Sequence, residues 1–309
     1  MLSRIGRADA TVPRSPMEVE RAVRRELYGD RPTVGLTRTR RRPLGAREAE
    51  PLGHLFGGRY RVLERVGAGG MATVYRARDE RLARDVAVKV MRERLARDPL
   101  LVRRFRREAQ IGGRLAHPNI VAVLDAAAVP RDFIVLELVD GTDAGTLLKR
   151  EGWPSLGEAA HVLAQVSDAL SHVHDQGVVH QDVSPYNILI RSPDAAAKLA
   201  DFGLASDSLD RAPRRDTGGT PGYIAPEVLH GAPPSPQSDL YSLGVVAYRL
   251  LAGSAAVVQR APLVDACPGL PRALNEAVQR ATADDPDERQ ESVAEFRAEL
   301  IGGLEAAAA

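Results

Sequence analysis

A short polar loop lies between two apolar runs in V-V-H-Q-D-V-S-P-Y-N-I-L-I, residues 178–190. It carries His180, Asp182 and Asn187, and the flanking runs have the composition of buried β-strands. A second carboxylate, Asp201, follows in A-D-F-G and could hold a cation beside the first. A loop that places a carboxylate and an amide between buried strands indicates a site of chemistry. Taken alone, the loop is equally compatible with an Asx-rich turn.

A glycine-rich turn occurs earlier in the chain, in G-A-G-G-M-A, residues 67–72. The alternating runs on both sides predict two β-strands joined by this turn. Glycines there let backbone amides approach phosphate oxygens without a Cβ in the way. The next run, D-V-A-V-K-V, predicts a third strand with Lys89 near its end. The chain has only three lysines against 39 arginines, so Lys89 indicates a required ammonium rather than a solvated strand residue.

Together and in this order, H-x-D-x-x-x-x-N, D-F-G, the glycine-rich turn and V-A-V-K resemble the catalytic core of the protein kinases. The G-G-M-A-T-V-Y segment resembles the bacterial, eukaryotic-like serine/threonine kinases in particular. The resemblance covers about residues 59–300. It implies an α+β fold with two lobes, a small antiparallel β-sheet N-lobe with one main helix and a larger, mainly helical C-lobe.

We expect a basic, largely disordered tail, residues 1–52, followed by a kinase domain, residues 53–303. Within the kinase domain, the N-lobe covers about residues 59–139 and the C-lobe about residues 140–303. The implied activity is transfer of the γ-phosphoryl group of ATP to a serine or threonine hydroxyl of a protein.

The resemblance also implies roles for the motif residues. Asp182 would be the catalytic base, and Asn187 and Asp201 would bind Mg²⁺, with Mn²⁺ as an alternative ion. Helical spacing of apolar residues predicts a helix at residues 101–115, in which Glu108 is the only acid. Lys89 would contact the α- and β-phosphates and pair with Glu108; a surface glutamate that answers nearby arginines is the alternative.

Thr220, in T-P-G-Y, matches the threonine that marks serine/threonine kinases and ties the catalytic aspartate to the peptide-binding loop. Asp239 should brace the backbone of the catalytic loop, and Arg289 should form a buried ion pair with Glu227 of A-P-E. Thr217 is the expected self-phosphorylation site.

The implied nucleotide cleft includes the link between the lobes, F-I-V-L-E-L-V-D-G, residues 133–141. Backbone groups of Glu137 and Val139 would meet the adenine, and Leu136 would guard the pocket behind it. Asp143 could contact the ribose or could equally cap the next helix. The residues expected around the nucleotide are Val66, Gly67, Ala68, Gly69, Gly70, Met71, Ala72, Val74, Ala87, Lys89, Leu136, Glu137, Val139, Asp143 and Leu189.

The sequence departs from the kinase pattern at several positions. Gln181 replaces the arginine before the catalytic aspartate, so phosphate on the activation segment would lack its usual docking cation. We therefore expect activity that does not require phosphorylation of that segment. Ser184 replaces a lysine, which predicts slower transfer, and Ala72 stands in place of the third glycine. The region after Gly253, which commonly docks protein substrates and regulators, is shortened.

The amino-acid composition indicates the nature of the N-terminal tail and the compartment of the protein. Residues 1–52 carry twelve arginines and seven acidic residues, and lack the apolar content of an independent core. S-P-M-E predicts a short helix at residues 16–28, whereas residues 33–42 could be a solvated segment, a phosphorylation segment or a patch for an anionic partner. The single Cys267 excludes an internal disulfide, and no apolar run predicts a membrane span. We expect a cytoplasmic protein.

The expected partners are ATP and a protein substrate, with self-phosphorylation or a homodimer as further partner hypotheses. No specific nucleic-acid binding is expected, because aromatic residues do not interleave the basic tail. Two rival functions stay open. One is a weakly catalytic or non-catalytic ATP-binding scaffold. The other is a small-molecule phosphotransferase of the aminoglycoside type, which the T-P-G-Y and A-P-E motifs disfavour.

Overall fold

The computed structural model describes residues 50, 52–129, 131–150, 155–192, 194–207, 219–252, 263–267 and 269–308. The described chain folds into a β-rich lobe followed by a mainly helical lobe, which confirms the predicted α+β, two-lobed fold. The helix predicted at residues 16–28, Thr217 and the ten residues from Gly253 onward lie outside the described residues.

The small lobe is built on a six-stranded antiparallel sheet with spatial order β1-β2-β3-β4-β6-β5. Its strands are β1 (Leu55–Phe56), β2 (Tyr60–Ala68), β3 (Ala72–Asp79), β4 (Arg84–Met91), β5 (Val123–Ala127) and β6 (Phe133–Glu137). The predicted glycine-rich hairpin joins β2 to β3. On β4, Val86, Val88 and Val90 pack in one core cluster. Because strand side chains alternate, Ala87 and Lys89 face the opposite side, toward the space between the lobes.

Helix α1 (Pro99–Gly112) packs across this sheet. Asp98 caps its N-terminus, since its carboxylate accepts hydrogen bonds from the backbone amides of the first turn, and Pro99 occupies the first helical position. Phe105 and Glu108 lie on its buried side. At the other end the helix approaches β5 so closely that a Cβ on Gly112 would lie 2.6 Å from Val123 Cγ2. This packing presents Glu108 toward β4.

The large lobe is mainly helical. Its helices are α2 (Ala144–Arg150), α3 (Leu156–Asp175), α4 (Pro226–Leu229), α5 (Pro236–Ala252), α6 (Leu263–Ala266), α7 (Arg272–Ala281) and α8 (Val293–Ala308). Its short strands are β7 (Gly141–Asp143), β8 (Val178–Val179), β9 (Ile188–Arg191), β10 (Ala197–Leu199) and β11 (Ser206–Asp207). They form a β10-β9-β7 sheet and a β11-β8 pair. The buried faces of α3 and α5 form the centre of the core. The polar loop that carries Asp182 lies between β8 and β9, and the D-F-G loop lies between β10 and β11.

The predicted ion pair between Arg289 and Glu227 is present and buried. Two guanidinium nitrogens of Arg289 each donate to one oxygen of Glu227 at 2.8 Å, and the arginine side chain is 0 % exposed. Arg289 also donates to the carbonyls of Ala283 and Gln237 at 2.9 and 2.8 Å. The pair therefore fixes α4, which follows the activation segment, to the start of α5 and the loop before α8.

The start of the packed structure is marked by a contact of Glu50. The backbone amide of Glu50 donates to the Tyr75 hydroxyl at 2.8 Å, so packed structure reaches a few residues before the predicted start at residue 53.

Among the described helices, none combines the length and apolar character needed to cross a membrane.

Candidate active site

Three charged side chains from different parts of the chain meet between the lobes. Lys89 Nζ, on β4, lies 2.5 Å from Glu108 Oε1, on α1, and 2.9 Å from Asp201 Oδ1, in the D-F-G loop. The lysine and glutamate side chains are 13 % and 6 % exposed, whereas Asp201 is 48 % exposed. The predicted Lys89–Glu108 pair is therefore formed, and the lysine links the small lobe to the loop that carries Asp201.

The electrostatics of this triad favour the charged forms of Lys89 and Asp201, whereas burial raises the pKa of Glu108. Burial alone would lower the pKa of Lys89, but the charges of Asp201 and Glu108 outweigh it and raise that pKa. Burial alone would raise the pKa of Asp201. The attraction to the Lys89 ammonium outweighs this effect, so the pKa of Asp201 is lowered. Glu108 Oε2 is buried without a hydrogen-bond partner. A fixed ammonium beside a half-exposed carboxylate can hold phosphate oxygens together with a cation.

Asp182 is oriented from two sides. Its Oδ1 accepts hydrogen bonds from the Thr220 backbone amide at 2.8 Å and from the Thr220 hydroxyl at 2.7 Å. Its Oδ2 accepts from Asn187 Nδ2 at 2.9 Å, and the same amide group donates to the Asp182 carbonyl at 2.8 Å. The Thr220 hydroxyl also lies 3.2 Å from Ser184 Oγ. Asp182 is thus fixed, with lone-pair capacity left on Oδ2 for an incoming hydroxyl.

Asp239, on α5, binds the backbone of the catalytic loop, as predicted. Its buried carboxylate accepts the backbone amides of His180 and Gln181 at 2.7 and 2.8 Å, and it lies 2.9 Å from His174 Nε2. Gln181 has a left-handed backbone with φ of 68°, and Asp201 has φ of 66°. Non-glycine residues hold such conformations only where surrounding contacts impose them. Both therefore mark loops whose geometry is set by the fold.

Two aromatic rings join these loops. The His180 and Phe202 ring centroids lie 4.8 Å apart, and His180 Nε2 lies 3.3 Å from the Ala200 carbonyl. The residue pair therefore couples the loop of Asp182 to the D-F-G loop of Asp201.

The cleft above the triad has a volume of about 380 Å³. The predicted residues that line it are Val66, Gly67, Val74, Ala87, Lys89, Leu136, Glu137, Val139, Asp143 and Leu189. Apart from Gly67, the glycine-rich turn is not part of its wall: the predicted residues outside the lining are Ala68, Gly69, Gly70, Met71 and Ala72. Ala72 does not line the cleft because its side chain is buried in the small-lobe core.

Asp143 caps the helix that follows it, which is one of its two predicted roles. Its Oδ1 accepts the backbone amide of Thr146 at 2.8 Å and its Oδ2 accepts the Thr146 hydroxyl at 2.7 Å. The carboxylate therefore caps α2, and because each oxygen accepts only one of these bonds, it keeps lone-pair capacity for a ribose hydroxyl.

The donor set suits a hard divalent cation that is completed by phosphate oxygens. Both contacts of Asn187 Nδ2 are to Asp182, which leaves the amide oxygen of Asn187 for a cation. Asp201 Oδ1 is used by Lys89 and by the Gly203 amide, which leaves Oδ2. In the described part of the chain, no three His, Cys, Asp or Glu side chains cluster as a self-sufficient metal site. A cation here would need ligands from the nucleotide, as Mg²⁺ commonly does.

Three contacts were not predicted from the sequence. Lys198, on β10, is buried and donates to Glu137 Oε1 at 2.7 Å, behind the link between the lobes. Gln181 Nε2 donates to the Ser206 hydroxyl at 2.5 Å. Lys149 Nζ lies over the Tyr186 ring, 4.7 Å from its centroid. The scarcity of lysine was the signal that could have found Lys198 and Lys149.

The fold, the Lys89 triad and the fixed Asp182 together define a protein kinase. The protein kinase domain model matches residues 60–300, and the chain belongs to this family.

The relatives are bacterial serine/threonine kinases. The chain is 38 % identical over 265 residues to the serine/threonine-protein kinase PknB of Mycobacterium leprae, over 79 % of this chain and 42 % of the relative. It is 43 % identical over 211 residues to PknA of Mycobacterium tuberculosis, over 65 % of this chain and 48 % of PknA. The chain thus spans less than half the length of these relatives. The crystal structure of the M. tuberculosis PknI kinase domain superimposes with a TM-score of 0.67 at 31 % identity, over 82 % of this chain and all of that domain.

Proposed function

We propose that this chain is an ATP-dependent serine/threonine protein kinase, with its kinase domain at residues 53–303. The observation that carries the proposal is the assembled cleft, in which Lys89 bridges Glu108 and Asp201 while Thr220 and Asn187 hold Asp182. Family membership supports it, because protein kinases use ATP and a divalent metal.

Each residue has a role that follows from its chemistry. Asp182 orients and accepts the proton of the substrate hydroxyl through Oδ2, and Thr220 keeps the carboxylate in place. Lys89 neutralises phosphate charge, and Glu108 holds the ammonium in position. Asn187 and Asp201 offer hard oxygens that fit Mg²⁺, which would shield the transferred phosphoryl group.

Two features disfavour the rival functions. A scaffold that only binds nucleotide needs no oriented base, yet Asp182 receives hydrogen bonds from both Thr220 and Asn187. A small-molecule phosphotransferase needs no peptide-binding segment, yet that segment is fixed at one end by Thr220 and beyond it by the Arg289–Glu227 pair.

The test is transfer of label from γ-labelled ATP with Mg²⁺, with Asp201→Ala as the matched variant and with serine and threonine peptides as acceptors. We expect labelled phosphoserine or phosphothreonine with the wild-type protein and none with the variant. Nucleotide binding without transfer would support the scaffold. Transfer to a small hydroxylated amine but to no peptide would support the small-molecule enzyme.

A further inference from the structure

The three lysines of the chain all lie around the same cleft. Lys89 pairs with Glu108 and Asp201 inside it, and Lys198 pairs with Glu137 behind it. Lys149 is the third, exposed on α2 at the rim beside the catalytic loop. In a chain that uses arginine at nearly every basic position, a lysine at this rim calls for a functional explanation.

Lys149 is held in place by an aromatic platform. Its Nζ lies 4.7 Å from the centroid of the Tyr186 ring, within the range of a cation–π contact. Tyr186 lines the cleft and is 36 % exposed. The ring lies directly against α2, because a Cβ on Gly145 would come within 2.5 Å of its Cδ1 and Cε1 atoms. The glycine thus makes room for the ring, and the ring fixes the ammonium.

Among the described residues, no acid forms an ion pair with Lys149. Asp143, at the start of the same helix, hydrogen-bonds to Thr146 and forms no ion pair with Lys149. An exposed, oriented cation of this kind attracts an anionic group on a binding partner.

A protein substrate would bring its neighbouring side chains within reach. Tyr186 follows Asp182 by four residues, and four residues span at most about 14 Å. An extended peptide advances about 3.3 Å per residue. Tyr186 also precedes Asn187, whose side chain hydrogen-bonds to Asp182, so a substrate whose hydroxyl meets Asp182 can bring side chains two to four positions away within reach of Lys149.

We propose that Lys149, held by Tyr186, selects protein substrates that carry an anionic side chain two to four residues from the accepting serine or threonine. The anion is a carboxylate or a phosphate already present on the substrate. This inference rests on the proposed kinase function and names the substrate class of that same site.

The test uses a peptide series with alanine, aspartate, phosphoserine or arginine at each position from four before to four after the acceptor. The measured quantity is kcat/KM for the wild type, Lys149→Met and Lys149→Arg, with Arg84→Met as a control that removes an exposed cation at the start of β4. We expect the wild type to prefer an anionic peptide over its alanine counterpart by about fivefold at one or more positions. Lys149→Met should lose this preference, Lys149→Arg and Arg84→Met should keep it, and the KM for ATP should stay unchanged. The aspartate and phosphoserine arms identify which anion is preferred.

A binding measurement separates this inference from the kinase proposal. Fluorescence anisotropy of the same labelled peptides, with a non-hydrolysable ATP analogue present, reports selection even if no peptide is phosphorylated. Absence of transfer to every peptide would contradict the kinase proposal alone. Equal binding and equal kcat/KM for anionic and alanine peptides, or a preference that survives Lys149→Met, would overturn the role of Lys149.

Discussion

Gln181 leads to a prediction about how the activation segment is held. Its Nε2 donates to the hydroxyl of Ser206, on β11, at 2.5 Å. Its carbonyl oxygen lies 3.2 Å from where a Cβ on Gly219 would be. Gln181 therefore touches the chain on both sides of residues 208–218, which form the middle of the activation segment between D-F-G (residues 201–203) and A-P-E (residues 225–227). Because these contacts are neutral, they form without phosphate, and we expect turnover to be independent of phosphorylation.

The magnitude follows from the hydrogen bond. A neutral intramolecular hydrogen bond contributes about 1 kcal/mol net, which is about a fivefold change in an equilibrium constant. Ser206→Ala removes the acceptor of the Gln181 amide and should lower turnover by up to about fivefold. Ser171→Ala is the matched control, because the Ser171 hydroxyl is buried without a hydrogen-bond partner.

The assay compares initial rates of peptide phosphorylation before and after complete dephosphorylation, checked by intact mass. Wild-type turnover should be the same in both states, Ser206→Ala should be slower in both, and Ser171→Ala should match the wild type. A loss of tenfold or more on dephosphorylation would refute the reasoning, as would a Ser206→Ala protein with wild-type turnover.

Three further predictions concern rate and stability. Ser184→Lys restores a cation near the transferred phosphoryl group and should raise turnover; an unchanged rate would show that this position does not limit transfer. Glu227→Gln leaves the fully buried guanidinium of Arg289 without its counter-charge, so the free energy of unfolding in urea should fall by about 3–5 kcal/mol. The hydrogen bond from Arg59 lowers the pKa of Asp79 from 3.8 to about 2. Because the folded-state pKa is depressed, this contribution is present above about pH 4 and is lost as the pH falls toward about 2. Asp79→Asn should remove that part of the pH dependence in thermal melts.

Controls for the stability predictions come from exposed pairs. Glu276→Gln breaks the Arg272–Glu276 pair, whose side chains are 90 % and 59 % exposed, and should cost less than about 1 kcal/mol. If it costs as much as Glu227→Gln, burial is not the reason for the larger effect. If Asp79→Asn melts with the same acid dependence as the wild type, Asp79 is not the group that titrates.

The sequence predicted most of the residues of the cleft, because short-range patterns determine which face of a strand or helix each of them occupies. Alternation along β4 places Lys89 opposite the valines that form the core, and helical spacing on α1 places Glu108. The loop between β8 and β9 was predicted from its apolar flanks. In each case, period and spacing specify which face a side chain occupies.

Other contacts had no local pattern to predict them. The Lys198–Glu137 pair joins residues 61 positions apart, and the Gln181–Ser206 bond joins residues 25 apart. The hairpin was predicted correctly, but the burial of the Ala72 methyl group in the small-lobe core was not predicted. Such details depend on how the elements dock, which spacing along the chain does not specify.

The central claim is that Asp182, fixed by Thr220 and Asn187, assists phosphoryl transfer in a cleft that binds ATP independently of it. The most direct measurement is single-turnover transfer to a peptide by Asp182→Asn, together with its Kd for ATP. We predict that the transfer rate constant falls by about 10²- to 10⁴-fold while the Kd for ATP stays within about threefold of the wild-type value. Transfer at a rate close to that of the wild type, with ATP bound equally well, would contradict the account.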